Sequence, residues 1–89
     1  MNKIVYLGTT LNCAACRIQE QILEEVLEDR PDVCLKICDY LELPKFIQTN
    51  VLLEDFPIIV FIKDEIIIHT VVGTLSARKI KRLMEDIEF

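Results

Sequence analysis

Apolar segments of period 2 and period 3.6 follow each other along this chain in an order that few architectures accommodate. Lys3 to Leu7 reads as a short apolar strand ending at Gly8, with Thr9 to Asn12 as a loop. Ile18, Ile22, Leu23, Val26 and Leu27 then recur at helical spacing until Arg30-Pro31 stops the pattern. Val33 to Cys38 reads as a second strand, and Pro44 to about Asn50 as a short helix with proline in its first turn. Pro57 to Ile62 and Ile66 to Val72 form a hairpin around Lys63-Asp64-Glu65, and Gly73 ends it. Ser76 caps a last helix, with Leu75 and Ile80 placed as a hydrophobic staple. Ala77, Ile80, Leu83, Met84 and Ile87 of that helix face the core.

The order βαβ-α-ββα sets a βαβ unit with a right-handed crossover before a ββα unit. Its simplest packing is an α/β fold in which one mixed four-stranded sheet is flanked by helices. With 89 residues the chain has room for one domain, residues 1–89, and one modest core. The glycines and prolines sit singly at element boundaries, and no repeat or linker interrupts the unit.

Charge and hydropathy narrow the function classes. An apolar fraction of 52% with 28% charged residues marks a chain that packs a core. A net charge of -5 argues against nucleic acid as a partner, because gripping phosphate takes a dense basic face. The amino-terminal apolar run breaks at Gly8, Thr9, Thr10 and Asn12, before the apolar region of a secretion signal would be complete. Ile58 to Ile62 and Ile66 to Ile68 are far too short to span a bilayer. The expectation is a protein with no membrane segment in a reducing cytoplasm.

Four cysteines could build a disulfide scaffold, but their spacing points elsewhere. Cys34 and Cys38 lie four apart in a strand, about 13 Å from each other. A disulfide needs Cα atoms within about 7 Å. They read instead as small buried residues. Cys13-Ala14-Ala15-Cys16 differs, because it stands where a loop enters a helix. The unpaired N–H groups and partial positive charge of a helix start favour a thiolate at Cys13 and make it nucleophilic. Cys16, one turn later, is placed to attack the mixed disulfide that Cys13 would form. A zinc site would want a second cysteine pair or nearby histidines, and the single histidine, His69, reads as an ordinary strand side chain. Redox exchange is therefore preferred over metal, with no metal and no bound cofactor expected.

Three motifs together resemble the thioredoxin and glutaredoxin superfamily over nearly the whole chain. They are the CxxC at the head of a helix, Phe56-Pro57-Ile58-Ile59-Val60-Phe61-Ile62, and Val72-Gly73-Thr74-Leu75-Ser76 before an amphipathic helix. The resemblance implies a thioredoxin-like fold in compact, glutaredoxin-sized form, without the extra amino-terminal strand and helix of full thioredoxins. It implies a cis Pro57 facing the redox pair, a Phe56 backbone free to pair with an extended substrate segment, and Gly73 and Thr74 lining the same groove. The chain departs from thioredoxins at Leu7, Asn12 and Ala14-Ala15, where they carry aspartate, tryptophan and Gly-Pro. It departs from glutaredoxins at the same alanine pair and in having Gly73 alone before Thr74-Leu75-Ser76.

The function implied is a thiol-disulfide oxidoreductase acting on a disulfide-bearing protein or small thiol, recycled by a separate reductase. The other reading is a non-enzymatic binding module of the same fold, its cysteines idle or bound to metal. Arg78, Lys79, Lys81 and Arg82 crowd the start of the last helix, where positive charge opposes the dipole. They form either a solvated face or a patch that docks an acidic partner.

Overall fold

The structure is a computed structural model, and it describes residues 2–89. Strands β1 (Lys3–Thr9), β2 (Val33–Asp39), β3 (Ile58–Lys63) and β4 (Ile66–Val72) and helices α1 (Ala14–Leu27), α2 (Lys45–Asn50) and α3 (Ala77–Asp86) follow in the expected order. A 3-10 turn at Tyr40–Glu42 was not legible beforehand. The sheet order is β2-β1-β3-β4, with β1 parallel to β2 and β3 antiparallel to both of its neighbours. Parallel β1 and β2 cannot be joined by a tight turn, and α1 supplies the crossover.

The two central strands are buried on both faces. Val5, Leu7, Ile59 and Phe61 pack with Leu23, Val26 and Leu27 of α1 and Ile80 and Met84 of α3. Tyr6, Ile58, Val60 and Ile62 face the other way, onto Leu43 and Ile47. Burial on both sides explains why Ile58–Ile62 is an unbroken apolar run rather than an alternating one. The hairpin turn is tighter than the three residues read from sequence: Asp64 and Glu65 alone form it, both at positive φ (51° and 69°). A register shift between Phe61 and Ile62 leaves Ile68 as an extra residue in β4.

Several local expectations are corrected. Helix α1 ends at Leu27, because the Glu28 and Arg30 N–H groups turn back to the Glu25 and Leu27 carbonyls. Arg30 then grips Asp32 with two bonds of 2.9 and 3.0 Å, holding that carboxyl well below the usual carboxylate range. Ile18 is 54% exposed, because the inward face of α1 runs through Cys16, Gln19, Leu23, Val26 and Leu27. Pro44 sits at the cap of α2 rather than inside its first turn. Cys34 is exposed and Cys38 half-buried, not a buried pair. They lie on edge strand β2, on the face that carries α2; Cys38 packs there, while Cys34 lies outside that cluster.

Ser76 does cap α3, its hydroxyl accepting from the Lys79 N–H at 3.2 Å, and Leu75 and Ile80 both pack into the core. Gly73 ends β4 at φ +96°, in a region that side chains avoid, while open space surrounds the position where a Cβ would stand. Gly73→Ala is therefore expected to lose about 1–2 kcal/mol through backbone strain alone. Urea unfolding checks this, and a variant as stable as the parent would contradict it.

Among the described residues, no helix is long and apolar enough to cross a membrane.

Candidate functional site

The site begins where β1 leaves the sheet. The Thr9 hydroxyl donates to the Cys38 carbonyl at 3.2 Å, fixing the end of β1 against β2. The chain then reverses through Asn12, whose φ of 58° is a left-handed conformation that asparagine tolerates better than most residues. This reversal delivers Cys13 in an extended conformation at the cap of α1. Its sulfur does what a serine or aspartate oxygen does at other helix starts: it accepts the Cys16 N–H, at 3.1 Å.

Cys13 and Cys16 are joined as a disulfide, with Cα atoms 5.2 Å apart. The two sulfurs have different surroundings. Cys16 belongs to the inward face of α1 and is 2% exposed, whereas Cys13 is half-buried at the helix end. A cleft of about 250 Å³ opens on both, edged by the exposed Leu11 and by the charged groups of Arg17, Glu20 and Asp39. A larger depression, about 390 Å³, lies between the far ends of α1 and α3 at Val26, Arg30 and Phe89; no cysteine lines it.

The other residues singled out from sequence form a second group. The Phe56–Pro57 peptide bond is cis, Pro57 is buried, and the Phe56 ring packs on Tyr40 with centroids 5.2 Å apart. The Gly73 N–H donates to the Pro57 carbonyl at 2.9 Å, so these two are neighbours. Thr74 is exposed. None of the four lines the cleft that opens on the sulfurs.

What joins the two groups is Gln19, which the sequence reading passed over. Its side chain is fully buried, donating Nε2 to the Leu75 carbonyl at 3.1 Å and accepting the Leu75 N–H on Oε1 at 2.6 Å. Three residues after Cys16 on α1, Gln19 thus ties the segment after Gly73-Thr74 to the helix that carries the disulfide. The available signal was a lone polar residue three after Cys16 and four before Leu23, on the inward stripe.

His69 is half-buried in β4, its ring 6.4 Å from that of Phe61. Among the described residues, no three His, Cys, Asp or Glu side chains are grouped to hold a metal ion.

Solved structures with a similar fold include desulfothioredoxin from Desulfovibrio vulgaris Hildenborough in its reduced form, with a TM-score of 0.84 and 20% identity over 97% of this chain and 82% of that one. The fold is that of thioredoxins. Mitochondrial thioredoxin 3 from Saccharomyces cerevisiae, in its oxidized form, matches with a TM-score of 0.77 and 22% identity over 96% of this chain and 78% of that one. A malarial protein matches over the whole of both chains, with a TM-score of 0.82 and 14% identity. No family model and no curated protein matches the chain in sequence. At these identities the likeness is one of fold. Within the thioredoxin fold, this chain places its disulfide at the start of the first helix after β1 and has the apolar Leu7, fully buried, on that strand.

Proposed function

We propose that the protein is a thiol-disulfide oxidoreductase in which Cys13 attacks and Cys16 resolves. The observation that carries this reading is the asymmetry of the pair: a Cys13 sulfur held at the helix cap by an N–H donor, bonded to a more deeply buried Cys16. In the reduced protein the same donor favours a thiolate at Cys13.

That thiolate attacks one sulfur of a substrate disulfide, breaking the S–S bond and releasing the other sulfur as a thiolate that takes a proton. Cys16 gives up its proton and attacks Cys13 Sγ, which releases the second substrate thiol and closes the Cys13–Cys16 disulfide. Two electrons pass from protein to substrate. A separate reductase returns them, and the protein's own residues need no bound cofactor for either step. Beyond the cleft that opens on the sulfurs, Phe56, Pro57, Gly73 and Thr74 would hold the extended segment that flanks the reacting group, and the substrate is a disulfide-bearing protein or small thiol. The working compartment is a reducing cytoplasm, where the exposed Cys34 stays a thiol.

Equilibration in dithiothreitol and glutathione buffers tests the reading. One two-electron transition assigned to Cys13 and Cys16 is expected within the range of known disulfide exchangers, about -120 to -270 mV. A pair that stays oxidised throughout that range would leave a binding module of this fold instead. Limiting iodoacetamide on the reduced protein, followed by peptide mapping, checks the roles. Cys13 is expected to react first, ahead of the exposed Cys34, because only Cys13 has a helix start behind it. Cys38 should lag, since burial pushes its thiol pKa up and Glu42 adds to the effect. Labelling of Cys34 before Cys13 at pH about 6.5, two units below a free thiol's pKa, would overturn the assignment.

A further inference from the structure

The charge order on α3 is the reverse of what a helix prefers. Its first two turns hold Arg78, Lys79, Lys81 and Arg82, whereas Glu85 and Asp86 stand at its end. The helix dipole favours acids at the start and bases at the end, and α3 has neither. All four cations are exposed, and the ion pairs found among the described residues, Lys3–Asp32 and Arg30–Asp32, use none of them. Arg78, Lys81 and Arg82 edge a shallow depression of about 470 Å³, with Glu85 at its far side.

The concentration is also uneven over the molecule. The chain has ten basic and fifteen acidic residues; α3 holds four of the ten and two of the fifteen, so six basic residues remain against thirteen acidic ones elsewhere. The start of α3 is tied to the helix that carries the disulfide. Leu75, hydrogen-bonded on both sides to Gln19, immediately precedes the Ser76 cap, and Gln19 is three residues from Cys16.

From this layout we infer that the basic face of α3 docks an acidic surface on the protein substrate and orients its disulfide toward Cys13. The inference rests on the exchange reading for its substrate and on the charge layout alone for its surface. An acidic substrate should be repelled by a protein of net charge -5, yet the patch should make it the faster one.

Two synthetic peptides with the same disulfide-closed loop test it, one flanked by aspartates and the other by asparagines. At about 0.01 M salt, where the Debye length is about 30 Å, the reduced protein is expected to react about tenfold faster with the aspartate peptide. The advantage should vanish near 1 M salt, where that length is about 3 Å. In Arg78→Glu/Lys79→Glu the order should invert; the new acids stand where the helix dipole favours them, so α3 keeps its fold. An asparagine peptide that reacts as fast in the parent protein at low salt would overturn the proposal.

A binding measurement separates this from the redox reading. The aspartate peptide with its cysteines replaced by serine, titrated into isotopically labelled protein, should shift the amides at the start of α3. Shifts confined to other elements would overturn the docking surface whatever the kinetics. Shifts at α3 with neither disulfide peptide reduced would uphold the surface and remove the exchange reading. An oligothymidine that shifts the same amides at lower concentration than the peptide would replace the acidic protein with nucleic acid and overturn the proposal.

Discussion

Cys16→Ser is expected to hold substrates on the protein as mixed disulfides through Cys13, and Cys13→Ser to hold none. Cys13 reaches the surface at the cap of α1, so its attack on a substrate does not depend on Cys16. Release does depend on it, because Cys16 is the residue bonded to Cys13 and so the thiol placed to displace the substrate. Without it the intermediate waits for an external thiol. Turnover of a disulfide substrate should fall by about three orders of magnitude or more in either variant, since nucleophile and resolving thiol act as a unit. A cell extract passed over the immobilised variants reads the difference: partners that elute with dithiothreitol should appear on Cys16→Ser only. Equal capture by Cys13→Ser would mean that the roles are reversed or that Cys34 is the reacting thiol.

Gln19→Leu is expected to produce the second large effect, on stability. The substitution keeps the side chain's size and removes both of its hydrogen bonds to Leu75. Among the described residues no buried side-chain polar atom lacks a partner, and this change would strand a backbone N–H and a backbone carbonyl together. Each such group costs about 1–3 kcal/mol when left unpaired in the interior. Leu75 is only half-buried, so water recovers part of the loss, and a total of about 2–4 kcal/mol follows. For a domain of this size that lowers Tm by roughly 10–20 °C. Gln19→Glu sharpens the test through pH. A carboxylate cannot donate to the Leu75 carbonyl, whereas a protonated carboxyl can, so that variant should lose less stability near pH 4 than near pH 7. A fall of less than about 4 °C for Gln19→Leu would mean that Gln19 does not hold the Leu75 segment.

Gln19 also shows why part of the site was illegible. Along the sequence, a glutamine in an amphipathic helix between Ile18 and Glu20 reads as one more surface residue. Its partner lies 56 positions away, and only the packing of α1 beside the start of α3 brings the two together. The exposure of Ile18 has the same origin. Periodicity identified the helix, but the rotation of its inward face is set by what α1 packs against, and that face runs through Cys16 and Gln19. For Cys34 and Cys38, strand spacing excluded a bond between them, yet their exposure follows from β2 being an edge strand. No local pattern states which strand is at the edge.

Local chemistry settled the features that act over a few residues. Ser76 caps α3 and Cys13 heads α1 because a backbone N–H one turn on needs a partner, and Gly73 ends β4 because its backbone dihedral there is one that few residues adopt. The element order, and through it a mixed sheet with helices on both faces, followed from apolar periodicity, which is a one-dimensional property. Contacts between residues far apart in the chain decided the rest. They bury Cys16 while leaving Cys13 at the rim, join Pro57 to Gly73, and place the basic start of α3 beside the disulfide-bearing helix. Burial and proximity of this kind depend on which surfaces meet, and the meeting of α1, α3 and the sheet is a property of the folded chain alone.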